Sequence, residues 1–176
     1  MRDLDRLSYT LRVVKEAMRL YPPAARQFRV TSKDVDLGEH TVPEATPVMV
    51  CHYLLHRGAD SFPDPDDFIP ERFGPDSPPR HPLAHIPFGT GNRVCLGRHY
   101  ATLEIHLLLA MLVGRFRFSF PSPLDPRLGV TLRPRERGTV LVARRGYSPG
   151  GDSSLRRSGS CRPEVGDPEM AVMERP

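Results

Sequence analysis

Phe88-Gly89-Thr90-Gly91-Asn92-Arg93-Val94-Cys95-Leu96-Gly97 runs directly into an apolar, helix-patterned segment over residues 98–113, and its reading decides the fold. Gly89 and Gly91 can take positive φ without a Cβ clash, so the backbone can turn tightly beneath a flat ligand. Gly97 lets the main chain come close to whatever Cys95 holds. The following helix turns unpaired N–H groups and the positive end of its dipole toward this loop, which favours negative charge on sulfur. The stretch therefore reads as a loop that offers one thiolate to a metal at the mouth of a helix. Arg93, two residues earlier, offers a planar fork of donors to a carboxylate on the same ligand.

These residues resemble the haem-binding signature of the cytochrome P450 family, F-x-x-G-x-R-x-C-x-G, and every fixed position is filled. The family's downstream A-x-x-E stands here as Ala101 and Glu104. The resemblance implies that Cys95 is the axial ligand of the iron of haem b (iron protoporphyrin IX). Arg93 would be a propionate contact and Phe88 an aromatic beside the ring, with Gly89, Gly91 and Gly97 completing the loop. Cysteine suits this chemistry because its sulfur pushes electron density toward iron and favours O–O cleavage. A lone buried cysteine acting as a small hydrophobe is the plainer alternative, and it leaves the Phe, Gly and Arg positions unexplained.

Upstream, Leu7, Leu11, Val14 and Met18 recur at helical spacing and predict a helix over residues 4–20, ended by Pro22 and Pro23. Glu16 and Arg19 stand three apart on it, so their side chains can meet. Taken alone such a pair reads as a solvated surface contact. Followed by Leu20-Tyr21-Pro22-Pro23 it is similar to the family's E-x-x-R motif, a buried structural pair that supports the cysteine loop. Pro70-Glu71-Arg72-Phe73 matches the segment that completes this cluster, with Arg72 as its third member.

Short β-prone runs broken by Gly38, Pro43 and Pro47 predict hairpins of a small sheet between these motifs. By resemblance Arg29 aligns with a second propionate contact and residues 24–28 line the substrate pocket. An exposed strand arginine weighs equally. Residues 52–57 predict a short helix; His56 in it could reach a propionate, although a surface histidine is the simpler reading. The Asp- and Pro-rich stretch 60–79 lacks periodicity and predicts a meandering loop. After Cys95, Leu103, Leu107, Leu108, Met111 and Leu112 form a wide apolar face on the helix expected beneath the haem. Residues 115–120, 130–132 and 139–143 read as strands, with residues 133–138 the turn between the last two.

The chain has 176 residues, 39% of them hydrophobic, enough for a modest core. Its 20 Pro and 14 Gly exceed the usual share and call for many turns. The net charge of +4 comes from scattered arginines, a pattern that argues against nucleic-acid binding but would attract an acidic protein. Cys51, Cys95 and Cys161 form no C-x-x-C pair and make a disulfide framework unsuited. No signal peptide is visible, and the longest apolar run, 107–113, is too short to cross a bilayer.

The expected class is mainly α with small β-sheets (α+β), the C-terminal third of the P450 fold with its haem-thiolate loop and following core helix. Residues 1–145 form that part and 146–176 a disordered tail. The resemblance implies a monooxygenase, expected to be a soluble bacterial-type, cytoplasmic member. It implies a ferredoxin or flavodoxin-type partner, attracted by Lys15 and Arg98, and a small organic substrate. The family's oxygen-activating helix has no counterpart in this chain, so the expectation is that the chain alone binds haem weakly or not at all and does not turn over. Two alternatives stand beside it: a non-catalytic remnant, and a zinc module built from His81, His85, Cys95 and His99, whose spacings suit a tetrahedral site.

Overall fold

The computed structural model describes residues 6–121, 125–129, 131–135, 138–146 and 171–172. Helix α1 (Ser8–Leu20) buries Val14, Met18 and Leu20 and half-buries Leu7 and Leu11, the stripe its spacing predicts. It starts at Ser8; residues 4 and 5 of the expected span lie outside the described residues. The Tyr21 N–H still donates to the Ala17 carbonyl before Pro22 ends the helix.

Strand β1 (Gln27–Val30) pairs antiparallel with β4 (Pro47–Val50), Gln27 opposite Val50. Between them β2 (Val35–Leu37) and β3 (His40–Val42) close a two-residue hairpin, in which Gly38 takes φ +62°. Helix α2 (His52–Leu55) follows, and the meandering stretch carries a single 3-10 turn, Pro70–Phe73, against α1. A second 3-10 turn, Gly91–Arg93, leads through the cysteine loop into helix α3 (Arg98–Arg115).

Beyond α3, β5 (Phe116–Ser119) pairs antiparallel with β8 (Leu141–Arg144). The expected turn over 133–138 between neighbouring strands is not what forms. Strand β7 (Leu132–Pro134) pairs back onto β6 (Pro126–Leu128), with Pro126 opposite Pro134. Arg135 closes this ribbon, its N–H donating to the Asp125 carbonyl at 2.7 Å and its Nε to the Asp125 carboxylate at 2.6 Å. Of the tail expected over 146–176, Gly146 and Ala171–Val172 are described, the latter pairing as β9 with β8; the rest lies outside the described residues.

The result is helices with small antiparallel sheets, the expected α+β class. Its core is unusual in chemistry. Phe62, Ala25 and Val14 share it with Glu16, Arg19, His52 and His56, all four fully buried. Helix α3 packs on α1, and there His106 Nε2 donates to the Leu7 carbonyl at 2.9 Å. The burial expected for the wide face of α3 is not found among the described residues: Leu108 is 50% and Met111 52% exposed. The helix is apolar nearly all round, a pattern that calls for cover on several sides, and α1 covers only one.

Candidate haem-thiolate site

The three charged residues upstream come together. Glu16 and Arg19 pair with no exposed side-chain surface, Arg19 Nε to Glu16 Oε2 at 2.7 Å and Nη2 to Oε1 at 2.8 Å. Arg72 Nε stands 3.4 Å from Glu16 Oε1, and its Nη2 donates to the Asp64 carbonyl at 2.6 Å. The remaining Arg19 donors go to the carbonyls of His56, Pro65 and Asp67 at 3.0, 2.6 and 2.9 Å. All five N–H groups of this guanidinium are thus taken, which is how a buried charge becomes tolerable. Glu16 also accepts from the Ile69 N–H at 2.8 Å. Burial alone would raise its carboxyl; the hydrogen bonds from Arg19 and Ile69, with the charges of Arg19 and Arg72, outweigh it and hold the pKa below the ordinary value.

The meander is thereby tied to α1. Arg57 adds a strap, donating to the Leu20 carbonyl at 2.9 Å and to Asp66 at 3.0 Å while lying over the Tyr53 ring. Arg80 lies over Phe62 and Phe73 and donates to the Arg72 carbonyl. Neither was singled out by sequence.

His56 is not a surface histidine. It is fully buried, stacked on His52 at 5.9 Å and 5.2 Å from the His85 ring, which in turn meets Phe73 at 4.8 Å. Its Nε2 accepts from the Ile86 N–H at 3.0 Å, so the one nitrogen with a partner faces the protein. Burial, followed by the neighbouring His52, pushes His56 down to about 4, and burial with His56 beside it pushes His85 down to about 3. His52 and His56 stand four apart across one helical turn and so share a face, but nothing local in the sequence marks that face as buried.

The cysteine loop leaves Ile86 as a tight turn. The Gly89 N–H donates to the Ile86 carbonyl and the Cys95 N–H to the Phe88 carbonyl, both at 2.9 Å. Gly89 and Gly91 take φ +72° and +68°, the left-handed region that favours glycine. A Cβ on Gly89 would meet the Gln27 amide at 2.8 Å, so β1 sits directly against the loop. Gly97 caps α3, and the Ala101 N–H donates to its carbonyl at 2.9 Å. Phe88 is half-buried, whereas Arg93 and Cys95 are exposed. Arg29 is also exposed, its Nη1 donating locally to the Phe28 carbonyl at 2.8 Å.

A flat macrocycle next to Cys95 needs clear space. Leu96 is 99% exposed, and a Cβ on Gly91 or Gly97 would meet no atom within 4 Å. Among the described residues no three His, Cys, Asp or Glu are placed to hold a metal. Cys95 is therefore a lone donor, suited to a metal that brings its other ligands with it, and the residues fit a haem. The same observation overturns the zinc module. His81, His85, Cys95 and His99 do not gather: His85 lies against His56 and Phe73, while the other three are exposed.

The chain matches the Cytochrome P450 family profile over residues 1–141. It is 39% identical to the mitochondrial 25-hydroxyvitamin D-1 alpha hydroxylase of Homo sapiens, across 81% of this chain and 27% of that protein. It is likewise 39% identical to cyclooctatin synthase of Streptomyces melanosporofaciens, across 76% of this chain and 28% of that one. A retinoic acid-bound cyanobacterial CYP120A1 structure superposes with a TM-score of 0.77 at 31% identity, covering 82% of this chain and 34% of its own. The chain thus spans under a third of the length of these curated relatives. Equal likeness to a mitochondrial and a bacterial protein gives no preference to the bacterial-type, cytoplasmic reading. No described helix is long and apolar enough to cross a membrane.

Proposed function

The chain belongs to the cytochrome P450 family, and from that premise we propose that it carries the thiolate side of a monooxygenase site. The reaction is insertion of one oxygen atom from dioxygen into a small organic substrate. The observation that carries this reading is an exposed cysteine held by its own backbone between two left-handed glycines and a helix start.

Bound haem b would supply oxygen activation, with a cysteine sulfur raising the electron density at its iron. The chain's own residues do the rest. Cys95, just before the N-terminal turn of α3, would hold the group. Arg93, together with Arg29 from β1, would offer guanidinium forks to the two carboxylates of the ring. Phe88 would pack beside it. Glu16, Arg19 and Arg72 touch no ligand; they hold the meander on which the loop rests.

Electrons would come from an acidic ferredoxin or flavodoxin-type protein. Arg98 lines a cleft of about 430 Å³ formed with Phe88, Gly89, Thr90 and Val94 on the loop, and Lys15 on α1 is half-buried nearby in sequence to the ion pair. Reversing both charges should slow reduction at low salt, where charge steers association most strongly.

Labelled dioxygen tests the reaction class. Residues 6–146 are grafted into the matching third of the cyanobacterial neighbour and the chimaera is turned over. One labelled oxygen in the product supports a monooxygenase; both atoms, or none, contradict it.

A further inference from the structure

One unbroken line of hydrogen bonds links the buried ion pair to the cysteine. Arg19 holds Glu16 and donates from Nη1 to the His56 carbonyl at 3.0 Å. The His56 ring accepts at Nε2 from the Ile86 N–H at 3.0 Å. The Ile86 carbonyl accepts from the Gly89 N–H, and the Phe88 carbonyl from the Cys95 N–H. Residue 56 belongs to both halves of this line, its backbone to the ion pair and its side chain to the loop.

We propose that His56 is a positioning residue, whose ring anchors the Ile86 amide and thereby sets the start of the loop that presents Cys95. Its importance for chemistry rests on the reading of Cys95 as the haem ligand; the anchoring itself does not.

The protonation state supports a specific role over mere filling. Because Nε2 accepts, the proton of the neutral ring is on Nδ1, and Nδ1 is buried without a partner. An apolar ring would fill the same space beside His52 and His85 without leaving that group unsatisfied, which ordinarily destabilises a fold. What an apolar ring lacks is an acceptor for Ile86. That amide begins the turn, and no backbone carbonyl takes it among the described residues. Leaving it unbonded would free the loop's entry while the ion pair, held by five donors, stays formed.

Amide hydrogen exchange on the 176-residue chain separates loop anchoring from global stability. In His56→Leu, exchange at Ile86 and Cys95 should quicken roughly tenfold or more, the scale of one lost buried hydrogen bond, while Leu11 and Tyr21 in and after α1 stay protected. His56→Gln, whose side-chain amide oxygen reaches about as far as Nε2, should restore most of the loop protection. Unchanged exchange at Ile86 in His56→Leu would overturn the proposal, as would equal acceleration at Leu11 and Ile86. Should His56→Leu fail to fold, a nitrogen-to-nitrogen scalar coupling between Ile86 and His56 in the unaltered chain decides: its presence supports the anchor, its absence refutes it. No readout involves haem, so failure of the Cys95 reading would leave these results untouched.

Discussion

Arg19 and Glu16 meet through two parallel hydrogen bonds of 2.7 and 2.8 Å in a site from which water is excluded on both sides. The pair stabilises nothing by charge alone, since burying both groups costs several kcal/mol per ion. It works because each remaining N–H of Arg19 reaches a backbone carbonyl, that of His56 after α2 or of Pro65 and Asp67 in the meander. Arg19→Lys keeps the charge but removes the fork and two of five donors. Urea denaturation should show a loss of about 3–5 kcal/mol, the scale for breaking one side of a buried pair. A loss under about 1 kcal/mol would place this pair among ordinary surface contacts.

The loop glycines are not equivalent. Gly89 takes φ +72° against Gln27, whereas Gly97 has an ordinary negative φ and open space around its missing Cβ. Gly89→Ala should therefore cost about 1–2 kcal/mol in the haem-free chain. Gly97→Ala should cost almost nothing there and impair haem uptake instead, which a parallel haem titration of the grafted protein would register. Equal effects on stability would contradict this division.

Acid should weaken the fold in a defined window. His56 and His85 are held at about 4 and about 3 against an ordinary 6.5. His52, Arg19 and Arg57 face the first; His56, Lys15 and Arg80 face the second. With folded values below the unfolded one, the unfolded chain binds more protons as pH falls from 6.5. Stability is then complete above that pH and declines by about 1.4 kcal/mol per pH unit for each histidine until the folded values are reached. Glu16, also depressed, adds to the loss below 4.5. His85→Phe should remove one histidine's share of the slope; an unchanged slope would show that His85 does not take part.

Helix α3 and helix α1 should respond oppositely to truncation. Met18 is 8% exposed, and Met18→Ala should cost about 2–5 kcal/mol. Leu108→Ala, on the open face of α3, should stay within about 0.5 kcal/mol in the isolated chain. The same open face leads to the expectation that the isolated chain takes up haem weakly, checked by equilibrium titration against the grafted protein. Equal affinity would refute it.

The cysteine loop was legible because its residues are contiguous and their spacing carries the chemistry. Glu16 and Arg19 were legible for the same reason, being one helical turn apart, with Arg72 added by its Pro70–Phe73 context. His52, His56 and His85 were not. Their burial depends on partners distant in sequence: Phe73 reaches His85, and His85 and Ile86 reach His56, only after the meander folds back onto α1. Strand β6 was missed and β7 placed two residues early because three-residue strands carrying proline and arginine show no alternation to read. The apolar pattern of α3 was plain, but a pattern records the need for cover and not which element supplies it.

Cys95 as the sulfur ligand of haem iron is the assignment on which the functional reading stands. The direct measurement is the absorption spectrum of the reduced, carbon monoxide-bound grafted protein, in which Cys95 is the only cysteine at the ligand position. The red-shifted Soret band of thiolate ligation should appear, and should be lost in Cys95→Ala. Persistence of that band in Cys95→Ala would contradict the assignment.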